Sequence, residues 1–140
     1  MRLADMPLQL RIEYADAGSV PETMGIPFDE DGWQNLECLD FSATDSFCFT
    51  DALAIGFGRE AGADNFSVFI VVGDRAEFRS IPPAQKYHAM YFDEFDWWKI
   101  RQAIEQRVHA CERSTLMQSF EELRKVFLWE FEGMTLLETR

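Results

Sequence analysis

Phe47-Cys48-Phe49-Thr50-Asp51-Ala52-Leu53-Ala54-Ile55-Gly56-Phe57, together with Asn65-Phe66-Ser67-Val68-Phe69-Ile70-Val71-Val72, decides the fold. In the first segment Phe47, Phe49, Leu53, Ile55 and Phe57 share one phase of a period of two, the pattern of a strand with one buried face. Asp51 falls in that apolar phase and is its one misfit. The second segment has Phe66, Val68, Ile70 and Val72 on one face and Phe69 and Val71 on the other. Apolar residues on both faces mark a central strand. The connection Gly58-Arg59-Glu60-Ala61-Gly62-Ala63-Asp64 is rich in the glycines that close a hairpin.

Upstream, Leu8 to Tyr14 alternates apolar and polar residues and reads as another strand. Leu36 to Phe41 is short and apolar, with its phase broken at Cys38-Leu39, and predicts a bulged strand. Between them, residues 16–35 carry Gly18, Pro21, Gly25, Pro27 and the acidic triplet Asp29-Glu30-Asp31, with no periodicity, so a long connection is expected. Downstream of the Pro82-Pro83 break, Tyr87 to Phe92 predicts the last strand.

The period then changes to 3.6. Asp93 or Asp96 is placed to cap a helix with the stripe Trp97, Ile100, Ile104, Val108 and Cys111. Glu112-Arg113-Ser114 turns the chain into a second helix, capped by Thr115 with Gln118 or by Ser119 with Glu122. Its stripe is Phe120, Leu123, Phe127 and Phe131, and Gly133 is the expected stop. Strands first and helices last predict an α+β fold: an antiparallel sheet of about five strands followed by two C-terminal helices packed on one face. At 140 residues the chain is expected to form one domain over residues 1–140. Phe69, Val71, Met90 and Phe92 lie outside their strands' main phase. Either the 16–35 connection covers them or they form a partner or dimer patch, and monomer or homodimer is left open.

Charge narrows the function. The net charge is −12, which disfavours phosphate backbones and anionic membranes and favours a cationic partner. Residues 1–58 hold eleven acids and two bases, Arg2 and Arg11, and Ile12 to Gly58 contains no Lys or Arg. Cys38, Cys48 and Cys111 show no CxxC spacing and sit among apolar residues, so free, buried thiols in a reducing compartment are expected. The start carries no signal-peptide apolar run and no segment reaches membrane-spanning length, so a cytoplasmic protein is expected.

No catalytic constellation stands out. His88 and His109 lie in no local motif; a Cys48–His88 pair is the one nucleophilic arrangement left open. Asp29-Glu30-Asp31-Gly32 starts like a calcium loop, but its glycine comes too early. Gly56 to Gly62 reads GxGxxxG, one residue longer than a dinucleotide fingerprint and with no helix behind it. The expectation is a protein that is not an enzyme and takes no metal and no cofactor.

The C-terminal Phe127-Leu128-Trp129-Glu130-Phe131-Glu132 is apolar nearly all round. Trp129-Glu130-Phe131 after a strand–helix unit resembles the WEF ending of the immunity protein 8 type found in bacterial polymorphic toxin systems. Ala54-Ile55-Gly56 followed by Gly62-Ala63-Asp64-Asn65-Phe66-Ser67-Val68 is similar to that family's IG…D-x-F-x-V hairpin. The resemblance spans residues 40–134 and departs between Val71 and Ile81, where the family's Cys-Thr-Pro-like stretch is replaced. It implies a non-catalytic immunity protein that binds and neutralises a cognate toxin protein, and the net charge adds the expectation of no nucleic acid and no membrane as partner. On charge, the candidate toxin contacts are Asp29, Glu30, Asp31, Asp45 and Asp51 in the base-free stretch. The alternatives are a non-catalytic adaptor or accessory subunit of another assembly, and a small hydrolase.

Overall fold

The computed structural model describes residues 7–17, 26–38, 46–59, 62–73 and 88–132. It is an α+β fold in which four strands are laid side by side in sequence order and a fifth joins from beyond the helices. The strands are β1 (Leu10–Asp16), β2 (Phe47–Phe57), β3 (Asp64–Val72), β4 (Met90–Phe92) and β5 (Leu128–Trp129). The helices are α1 (Trp97–His109) and α2 (Leu116–Val126). β2 and β3 form the predicted hairpin, with Phe49 opposite Ile70 and Leu53 opposite Phe66.

The core lies between the sheet and the helices. Phe49, Leu53, Ile55, Phe57, Phe66, Val68, Ile70 and Val72 meet Trp97, Ile100, Ile104 and Val108 from α1, Cys111 from the turn after it and Leu123 from α2. Each fully buried aliphatic or aromatic side chain of this kind is worth about 1.5–3 kcal/mol, so the first predicted stripe holds the layers together; of the second, Leu123 is buried in α2, Phe127 is buried beyond it and Phe131 is exposed. Asp96 caps α1 by accepting the Lys99 N–H at 3.3 Å, and Thr115 caps α2 by accepting the Gln118 N–H at 3.1 Å. Both were among the paired alternatives in the sequence.

Three expectations change. Leu36–Cys38 is a single 3-10 turn and not the start of a bulged strand; residues 39–41 lie outside the described residues. β4 runs parallel to β3, with Met90 beside Ile70 and Phe92 beside Val72. Met90 and Phe92 therefore pack on the core face, not on the opposite face with Phe69 and Val71. A parallel neighbour needs a crossover of a dozen or more residues, and residues 73–89 supply that length. The opposite face still buries Ala54, Phe69 and Val71, so it is not an open apolar patch. The described part of the 16–35 connection packs on the helix side instead, where Trp33 meets Trp97 edge-on at 5.8 Å.

The second helix also ends early. Phe127 adopts extended backbone (φ −133°, ψ 156°) while its N–H donates to the Leu123 carbonyl at 2.8 Å. Leu128 and Trp129 then pair with Ser67 and Phe66 of β3, so the stop lies before the aromatic run and not at Gly133. An all-round apolar run is poorly buried as a helix on one sheet face. As a strand it sends Phe127 into the core and gives part of β3's outer edge a partner. Trp129 packs edge-on against Phe120 at 5.0 Å, and Arg124 clasps Glu132 at 2.7 Å beside them.

Candidate functional site

The acidic triplet is built as a tight turn at the outer edge of β1. The Asp29 N–H donates to the Trp33 carbonyl at 2.7 Å, and the Gly32 N–H donates back to the Asp29 carbonyl at 3.0 Å. Asp29 Oδ1 accepts the N–H groups of Asp31 at 2.8 Å and Trp33 at 3.0 Å, the local pattern that makes aspartate a turn residue. Gly32 has φ +83°, and a Cβ there would collide with the Glu13 carbonyl, so glycine is required on both counts. The Ala15 N–H donates to the Gly32 carbonyl at 2.9 Å and ties the turn to the strand.

A base from the far half of the chain closes this arrangement. Arg101 of α1 reaches Asp29 Oδ2 with Nη1 at 3.0 Å, Asp31 Oδ2 with Nη2 at 2.9 Å and Glu105 Oε1 with Nε at 3.1 Å. Its guanidinium carbon lies 4.9 Å from the Trp33 ring centroid and 5.2 Å from that of Trp98. Such a planar cation suits stacking on indole and forked bonding to carboxylates together. Trp98 is fixed in turn by donating its Nε1–H to Glu37 at 2.8 Å. The Arg101 side chain is only 9% exposed; burial opposes its charge, and Glu105, Asp31 and Asp29 more than compensate.

This ordering fixes the electrostatics. Burial pulls the Asp29 carboxyl upward, but the N–H groups of Trp33 and Asp31 and the Arg101 guanidinium outweigh it and hold it below the ordinary aspartate value. Asp31 spends one oxygen on Arg101, yet its side chain remains 75% exposed. Glu30, at the tip, is exposed. A polar groove of about 420 Å³ borders the turn, lined by Arg11, Ile12, Asp31, Trp33, Arg101 and His109 among others.

The five sequence-predicted contacts divide accordingly. Asp29, Glu30 and Asp31 come together in the turn. Asp45 lies outside the described residues. Asp51 is 1% exposed within the core-facing phase of β2, so it offers no surface to a partner. Among the described residues neither of its carboxylate oxygens has a hydrogen-bond partner. Burial first, and the nearby Asp16 carboxylate second, push it up to about 7. Arg101, Trp33 and Trp98 escaped the sequence reading, because Arg101 and its acids are separated by 70 and 72 residues. The base-free run from Ile12 to Gly58 was the available signal: any ion pair made by its acids has to draw its cation from outside the run, as Asp29 and Asp31 do with Arg101.

The residues weighed for nucleophilic chemistry lie elsewhere. Cys48 is half-buried and opposite Val71 on the face away from the helices, whereas His88 is exposed ahead of β4. Burial, aided by Glu122, pushes the Cys111 thiol up, away from the reactive thiolate. Among the described residues no group of three or more His, Cys, Asp or Glu side chains is placed to hold a metal ion, and no helix is long and apolar enough to cross a membrane.

A family model described as Immunity protein 8 matches residues 29–134, from the first aspartate of the acidic turn to just past β5. No curated protein and no solved structure gives a significant match. That span, roughly three quarters of the chain, contains the β2–β3 hairpin, both helices and the Trp129-Glu130-Phe131 ending on which the sequence resemblance rested. The chain belongs to the Immunity protein 8 family, a family of immunity proteins directed against toxins.

Proposed function

We propose that this protein is a non-catalytic immunity protein that binds and neutralises a cationic toxin domain, using the acidic turn Asp29-Glu30-Asp31 as its charged contact. The observation that carries the reading is the Arg101 clasp. It holds three consecutive acids in one conformation, so presenting Glu30 and Asp31 to a partner costs little ordering entropy. The absence of Lys and Arg from Ile12 to Gly58 leaves the field around the tip negative, which favours rapid encounter with a basic protein. Three cysteines with no CxxC spacing among apolar residues support action in a reducing compartment such as the cytoplasm.

Growth rescue tests it. The protein is co-expressed with the C-terminal domain of the protein encoded immediately upstream. Survival, with co-purification of the pair, is the expected result. Toxicity without rescue transfers the protein to the adaptor class. Replacing Glu30 and Asp31 with their amides is expected to weaken the complex and flatten its salt dependence. Unchanged affinity at low salt removes the acidic turn from the interface.

A further inference from the structure

The acidic turn carries a second feature that charge does not explain. Phe28 immediately precedes it, Tyr14 lies in the strand it docks against, and the two side chains are 48% and 44% exposed. Their rings meet edge-on, 6.1 Å apart at 76°. Single exposed aromatics are ordinary on a surface, but two held in contact form a small apolar platform. Both sit on ordered backbone. Tyr14 belongs to β1 opposite Ala54, and Phe28 forms a bridge with Gln34, whose side chain is itself tied to the Ile26 carbonyl and the Ala17 N–H. The Gly32 carbonyl accepts the Ala15 N–H at 2.9 Å, and a Cβ on Gly32 would strike the Glu13 carbonyl and crowd the Tyr14 Cα, so the turn is seated directly on the strand that carries Tyr14. Tyr14 and Phe28 both precede the span matched by the family.

The charges around the platform are not balanced. Glu13 pairs with Arg11 at 3.0 Å, while Asp29, Asp31 and Glu105 share Arg101. With Glu30 included, five carboxylates of β1, the turn and α1 stand against two guanidiniums, so the turn that begins just after Phe28 keeps a net negative charge. The molecule meets this combination twice internally with arginine. Arg101 lies between Trp33 and Trp98 against carboxylates, and Arg124 lies over Trp129 and Phe120 against Glu132.

We propose that Tyr14 and Phe28 form the apolar centre of the toxin-docking surface, with Glu30 and Asp31 as its rim, and receive an arginine side chain of the toxin. The inference rests on the immunity reading and deepens it. An arginine laid on the Phe28 or Tyr14 face keeps its N–H edge free to reach the rim carboxylates. Desolvated aromatic centres inside a polar rim are where binding energy concentrates in protein interfaces.

The test is calorimetric titration of the full-length protein with the upstream-encoded toxin domain. Phe28→Ala and Tyr14→Ala are each expected to weaken binding about 10- to 100-fold, Phe28→Trp to keep it within about threefold, and Glu30→Gln to cost less than either truncation. Urea midpoints of the half-exposed variants check that they remain folded; if one unfolds, Phe28→Ser or Tyr14→Ser replaces it. Tight binding by wild type with no change in the truncated variants overturns the platform and leaves the immunity reading standing. No binding by folded wild type overturns both. If the truncations instead convert a dimer into a monomer in sedimentation while toxin affinity is unchanged, the platform joins two copies of this chain and the proposal fails.

Discussion

Asp29 and Asp51 come from the same base-free stretch and meet opposite fates. Asp29 sits at a turn, accepts two backbone N–H groups and an arginine, and is held ionised. Asp51 sits mid-strand among apolar side chains with both oxygens unpartnered, and burial pushes it up to about 7. The difference teaches that a count of acids predicts neither where negative charge is displayed nor what it does to stability. A carboxylate with donors organises its surroundings, whereas one without them is a cost carried by the packing around it.

The strongest way to break this contrast is to titrate it. The folded-state value of Asp51 lies above its unfolded value near 4, so the native state binds the extra proton and stability falls as pH rises from about 4 to about 7. A shift of this size corresponds to on the order of 4 kcal/mol above pH 7. Asp51→Asn is expected to stabilise the protein by up to that amount at pH 8 and little at pH 4, read as urea midpoints. Identical midpoint changes at the two pH values contradict the assignment.

Next in size is the clasp. Arg101→Ala leaves Asp29 and Asp31 without their cation and uncovers Trp33 and Trp98, at a cost of about 2–3 kcal/mol in chemical unfolding. Arg101→Lys is expected to restore less than half of the loss, because a point charge cannot bond three carboxylates while stacked on indole. Full rescue by lysine reduces the clasp to simple charge neutralisation.

Asp29→Asn sharpens the opposite sign. The Asp29 value is lowered on folding, so its contribution is present above the unfolded value near 4 and is lost as pH falls through the folded one. The variant is expected to lose about 1–2 kcal/mol at pH 7, and the gap to wild type should narrow in thermal melts as the pH is lowered below the unfolded value. Smallest is Glu30→Gln. It is expected to leave stability within about 0.5 kcal/mol while measurably weakening toxin binding at low salt, since this side chain is exposed at the tip of the turn.

Much of the fold was legible because it rests on local periodicity. The phase of Phe49, Leu53, Ile55 and Phe57 and the stripe of Trp97, Ile100, Ile104 and Val108 each declare one buried face, and all are buried. Asp51 stood out as the misfit of its strand, and that anomaly is the buried orphan. Phe127 reads as helix in the sequence and is extended in the fold, because a run apolar all round has no period to separate helix from strand, and pairing with the edge of β3 selects the strand. Met90 and Phe92 were put on the wrong face because alternation does not say whether a neighbour runs parallel.

The candidate site was legible in part: the triplet Asp29-Glu30-Asp31 and the missing bases around it marked the place. By itself the sequence determined the alternation, the stripes, the caps and the sign of the charge, since these depend on residues within a few positions of one another. Tertiary structure alone decided that Arg101 crosses more than seventy residues to hold the turn, that Tyr14 and Phe28 meet at its edge, and that Asp51 is left without a donor. Pairing at a few ångströms depends on where the folded backbone places the two groups, and distance along the chain does not encode that position.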